Sequence, residues 1–142
     1  MSKAVWLKRV AIGALATSLV GALGGCGGGG DDGPPPPALS FSPEQVSLTT
    51  TAGSTFTVTA TAGRTYSQMV YVKIIDQGGV IVPTVSLTYV SPTVYQATFT
   101  LQSGLSLGPH VGRFEVHLCT DPACNSDVEG SPSYLPYAIT IQ

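Results

Sequence analysis

The stretch STFTVTAT, residues 54–61, decides the fold. In an extended chain Phe56, Val58 and Ala60 fall on one face, and Thr55, Thr57, Thr59 and Thr61 on the other. A period of two with threonine at alternate positions marks a strand that packs one face on a core and wets the other. The same period runs outward from it. In TVSLTYV (84–90), Val85, Leu87 and Tyr89 share a face; in VYQATFTL (94–101), Tyr95, Ala97, Phe99 and Leu101 do. RFEVHL (113–118) turns Phe114, Val116 and Leu118 inward and Arg113, Glu115 and His117 outward. LPYAITI (135–141) aligns Leu135, Tyr137, Ile139 and Ile141. MVYVKII (69–75) is apolar on both faces and predicts a central strand with Val70, Val72 and Ile74 inward.

Turn signals separate these runs: Ala62-Gly63, Gly78-Gly79, Ser91-Pro92, Ser103-Gly104, Gly108-Pro109 and Gly130-Ser131-Pro132. No period of 3.6 residues interrupts them. About seven short strands in the 105 residues from 38 to 142 predict an all-β, immunoglobulin-like antiparallel sandwich. Pro136, inside the last strand, is expected at an edge or a bulge. The sandwich is not of the antibody type, because the sole tryptophan is Trp6 and no cysteine lies in the early strands. Charged residues make up only 10% of the chain. Lys3, Lys8 and Arg9 hold half of its six cations, while all eight acids lie in the remainder. That acidic body lacks the clustered basic face that nucleic acid requires, so no nucleic-acid partner is expected.

The first 25 residues read as an export signal. A cationic start precedes an apolar run of 14 residues, 10–23, which predicts a signal helix. A membrane span needs about 20 apolar residues. This run is shorter, contains Gly13 and Gly21, and ends in glycine.

Leu23-Gly24-Gly25-Cys26 resembles the lipobox of bacterial lipoproteins: an aliphatic residue, two small residues, then cysteine. The resemblance implies that Cys26 receives a diacylglycerol and that the signal, 1–25, is cut before it. Two or more acyl chains anchor a protein stably, whereas one binds only marginally. The residue after the cysteine is Gly27, not the Asp that retains such proteins in the inner membrane, which implies the outer membrane, facing the periplasm or the surface. Residues 26–37 are then a lipidated cysteine followed by a disordered linker. Four glycines give a flexible coil, Asp31 and Asp32 keep the chain hydrated, and four prolines favour a stiff polyproline spacer. The segment 27–37 could reach at most about 36–40 Å.

The tail CTDPACNSDVEGSPSYLPYAITI (119–141) resembles immunoglobulin-like domains of proteobacterial lipoproteins, with a strand ending in Cys, a second Cys five residues on, Gly-Ser-Pro, and Tyr in the last strand. The resemblance implies no assigned activity. With Cys26 lipidated, Cys119 and Cys124 remain as a pair in an oxidising compartment, and a disulfide is expected between them. A metal site on Cys119, Cys124, His117 and His110 is the rival, but the ligand spacing fits only one pair.

Gly104-Leu105-Ser106-Leu107-Gly108 matches G-x-S-x-G, yet that motif needs a strand, a sharp turn and a helix, and no helix follows. Asn125, Asp127 and Glu129 alternate as in a calcium loop, with Asp121 nearby, but the twelfth position carries Pro136 in place of the bidentate Glu. Tyr71 and Tyr134 are the tyrosines expected to be free for stacking on a sugar. The expectation is therefore a lipid-anchored envelope protein without cofactor or metal and without catalysis. It presents a binding or structural module to a protein partner, with the hairpin tip Asp121, Asp127 and Glu129 as the first candidate surface. The alternative is a module that binds glycan or peptidoglycan through Tyr71 and Tyr134.

Overall fold

The computed structural model describes residues 3–6 and 33–142. The expected signal helix, Cys26, the glycine coil, and Asp31 and Asp32 lie outside the described residues. The elements, in order, are β1 (Lys3–Trp6), β2 (Leu39–Ser42), β3 (Val46–Thr50), β4 (Thr55–Ala62), β5 (Tyr71–Asp76), β6 (Ser86–Ser91), β7 (Val94–Thr100), β8 (Gly108–Cys119) and β9 (Ser133–Ile141). One sheet runs β1-β5-β8-β9-β3 and the other β2-β4-β7-β6. The short β1 lies antiparallel along β5, with Lys3 opposite Asp76.

The remaining eight strands form a sandwich of two four-stranded layers. In the lettering of the immunoglobulin fold, β2, β4, β7 and β6 take the places A, B, E and D, and β5, β8 and β9 the places C, F and G. This is the sandwich expected from the alternation, with two differences. The body has eight strands, because LSFS and VSLTT each add a short one. The pairing is not wholly antiparallel, because β3 runs parallel to β9, from Val46 opposite Tyr137 to Thr50 opposite Ile141.

The inward faces match the period-two reading. Phe114, Leu135, Leu101, Tyr137, Ile139 and Val58 are almost wholly buried. Phe56 and Phe99 from one layer and Phe114 and Tyr137 from the other form a column of rings. Centroid separations along it are 5.0, 5.3 and 4.7 Å. Each buried aromatic contributes about 1.5–3 kcal/mol through burial, and the ring pairs add to that. Beside this column lies a wholly apolar void of about 50 Å³, lined in part by Ala60, Ala62 and Ala97.

Three expectations need correction. Tyr89 has the inward parity but is 58% exposed, because β6 is the edge of its layer, where its ring meets that of Tyr95 edge-on at 5.7 Å. The segment 69–75 is not central. Within the eight-stranded body β5 is an outer strand, and beyond it lies only the four-residue β1. Gly108-Pro109 is not a turn but the start of β8, opposite Ile141 and Thr140. Pro136 does sit where one side of β9 is open, since the β3 ladder begins one residue later at Tyr137.

Strand direction gives the sandwich two distinct ends. β5, β7 and β9 start at the end where β4 and β8 finish. The proline arm enters at this end. Gly33 to Pro37 are exposed, then Ala38 is buried and its N–H donates to the Gly130 carbonyl at 2.9 Å. The opposite end carries the turns 51–54, 77–85 and 101–107 and the last residues, 141 and 142.

Candidate functional site

The hairpin between β8 and β9 is built around one disulfide and one carboxylate. Cys119 and Cys124 are bonded, with Cα atoms 5.1 Å apart. Asp121 then organises the loop they close. Its Oδ1 accepts the Ala123 N–H at 2.9 Å, and its Oδ2 accepts those of Asn125 and Ser126 at 3.0 and 2.8 Å. These bonds hold Cys124 at a φ of 55°, a left-handed conformation uncommon for a residue with a side chain.

Asp127 faces the other way. Its Oδ2 lies 2.8 Å from Nδ1 of His117, and Nε2 of the same ring lies 2.9 Å from Glu115 Oε1. The imidazole thus bridges a strand carboxylate and a hairpin carboxylate, with each of the three side chains about one-third exposed or less. Lys73 is the residue opposite His117 on β5. Glu129 points to Arg64 at 3.8 Å in an exposed pair of little energetic weight.

The three acids expected to form a tip therefore do not converge. Asp121 is spent on backbone N–H groups, Asp127 on His117 and Glu129 on Arg64. Among the described residues, the one cluster close enough to hold a metal is Cys119, Cys124 and Asp127. Its two sulfurs are bonded to each other and offer no thiolate. His110 approaches the backbone carbonyl of Ser106 at 2.8 Å through Nε2.

Tyr71 and Tyr134 share the outer face of the same sheet but do not form one platform. Tyr71 is opposite Cys119 and Tyr134 opposite Glu115, so they stand about 16 Å apart by strand geometry. Tyr71 is half-buried, whereas Tyr134 is exposed, with the Arg113 guanidinium 4.4 Å from its ring centroid.

A second polar centre lies inside the sandwich, near its other end. Asp76 is 2% exposed. Its Oδ1 accepts the N–H groups of Gly78 and Gly79, both at 3.1 Å, and its Oδ2 accepts that of Ile81 at 2.9 Å. Tyr137 reaches toward it across Gly112, its cross-strand neighbour. A Cβ on Gly78 or Gly112 would collide with the Tyr137 hydroxyl. Burial first, then the charge of Asp76 and a contact with its carboxylate, push the phenol up to about 12. The contact is poorly aligned, since the hydroxyl has no partner of full hydrogen-bond geometry. Sequence patterning did not single this centre out, although Asp-x-Gly-Gly after a strand is the signature of an aspartate-capped turn.

No family model, curated protein or solved structure matches the chain.

Proposed function

We propose that this chain is an exported lipoprotein of the cell envelope, anchored through acylated Cys26 in the outer membrane. Its immunoglobulin-like sandwich works as a non-catalytic binding or structural module. The observation that carries this reading is Leu23-Gly24-Gly25-Cys26 at the end of an apolar run, and the rooting of the proline arm then sets which end of the body faces the anchor. A segment that would otherwise swing freely is fixed by the Ala38–Gly130 bond and by contact between residues 36–38 and Gly130. A body attached at a defined point presents one end to its anchor and the other away from it.

That attachment changes which surface a partner would meet. The hairpin 119–132 shares the anchored end with the proline arm, and two of its three acids, Asp121 and Asp127, are held in internal contacts. The opposite end stands outermost. The test is fractionation of cells expressing the protein with Cys26→Ser. The expected result is an uncleaved chain that leaves the detergent-requiring fraction, while the unaltered protein shows the mass of a cleaved, acylated chain. Normal cleavage and retention of the serine form would refute the reading.

A further inference from the structure

From the outer half of the β5-β8-β9 sheet we infer a docking notch for an extended, acid-bearing polypeptide segment. The inference deepens the binding-module reading above and rests on it. β5 stops at Asp76, opposite Phe114, while β8 continues to Gly108. Gln77 and Gly78 flank Arg113 and Gly112, and from Gly108 to Val111 β8 has β9 on one side and, among the described residues, no strand and no loop hydrogen bond on the other. Backbone N–H and C=O groups on such an edge are a template for one more strand.

The space beside that edge is open. A notch of about 470 Å³ is bounded by Gln77, Gly78, Val111, Gly112, Arg113 and Pro136, with Tyr137 below. Two of its walls are glycines that the Tyr137 hydroxyl keeps bare of side chains. Val111 is 77% exposed, unusual for a strand valine, and Leu107 at the same end is 79% exposed. Val111 supplies an apolar contact for an alternate side chain of the incoming segment.

Arg113 fixes the chemistry of the occupant. It is exposed, sits 4.4 Å over the ring of Tyr134, and makes no ion pair among the described residues, although the body it belongs to is acidic. A guanidinium held in place by a ring and lacking an anion matches a carboxylate, which it engages through two parallel hydrogen bonds. The occupant is thus a segment of an envelope protein that adds a strand beside β8 and places an Asp or Glu on Arg113. The notch lies toward the end away from the proline arm, where such a protein can approach.

The test uses the purified protein and the synthetic peptide acetyl-Thr-Val-Thr-Val-Asp, alongside the same peptide ending in Asn amide and an N-methylated form. Backbone amide signals and hydrogen exchange are read at residues 109–113. The acid peptide should slow exchange there. Arg113→Gln should weaken it by about tenfold, the loss of one charge-assisted contact, while leaving the Asn peptide unchanged. Methylating the peptide nitrogens should abolish binding of both without touching the protein. The inference fails if millimolar acid peptide perturbs none of these amides, or if Arg113→Gln leaves its affinity unaltered. It also fails, in favour of the glycan alternative, if a soluble muramyl saccharide moves these signals and the peptide does not. None of these outcomes depends on the lipid, so they separate a failed notch from a failed anchor.

Discussion

Gly112 and Tyr137 show how one residue's lack of a side chain sets another's position. The ring of Tyr137 takes the place a Gly112 side chain would fill and joins the aromatic column. Gly112→Ala should cost about 2 kcal/mol in urea unfolding, a typical overpacking penalty. Adding Tyr137→Phe removes the nearest clashing atom but leaves the ring carbon Cζ at 2.7 Å, so the double variant should recover part, not all, of that loss. The phenol itself gives a pH signature. Its proton is held up to about 12 in the folded state, against about 10 when unfolded. Above pH 10 the unfolded chain therefore binds fewer protons than the folded one, and stability falls as pH rises toward 12. Between pH 10 and 11 the fall attributable to this group should be about 1 kcal/mol, and it should vanish in Tyr137→Phe.

At the scale of the element, the hairpin 119–132 is fastened twice, by the Cys119–Cys124 bond and by the three N–H groups on Asp121. Closing so small a loop stabilises by about 2 kcal/mol. Reduction should lower the unfolding free energy by roughly that amount and leave the sandwich folded, as circular dichroism would register. Asp121→Ala should cost a further ~1 kcal/mol, since the three N–H groups it releases are exposed and can turn to water. The disulfide was legible in the sequence because cysteines can be counted. The role of Asp121 was not, since an acid in a turn looks the same whether it faces solvent or three N–H groups. The strands divide in the same way. STFTVTAT and LPYAITI declare themselves by alternation over seven or eight residues. LSFS and VSLTT, at four and five residues, are too short for a period to show, and their place is fixed by pairing with β4 and β9. The notch was invisible for a related reason: it exists because β5 ends before β8 does, and relative strand ends are set by tertiary register.

For the whole molecule, the decisive feature is that the chain enters the sandwich at one end and finishes at the other. Gly130 has a φ of 83°, and a Cβ there would strike the Pro36 carbonyl and the Ala38 amide. Gly130→Ala should therefore dislodge the proline arm, seen as faster proteolysis at residues 33–38 and a stability loss of about 1–2 kcal/mol. A fluorophore at position 64 should lie nearer a labelled bilayer than one at position 107, by a distance on the order of the 12-residue length of β8, about 40 Å.

The parallel β3–β9 pair acquires a mechanical meaning from this layout. If a partner grips the outer end while acyl chains hold the membrane, tension enters near Ala38 and is resisted far away. The β2–β4 ladder is loaded first, and behind it the five-residue ladder from Val46 to Thr50 is loaded along its length. Its bonds must slide past one another together, as in a lap joint, and cannot peel open singly. Pulled from residue 38 against residue 107, the domain should yield at higher force than when drawn apart across the β8–β9 hairpin.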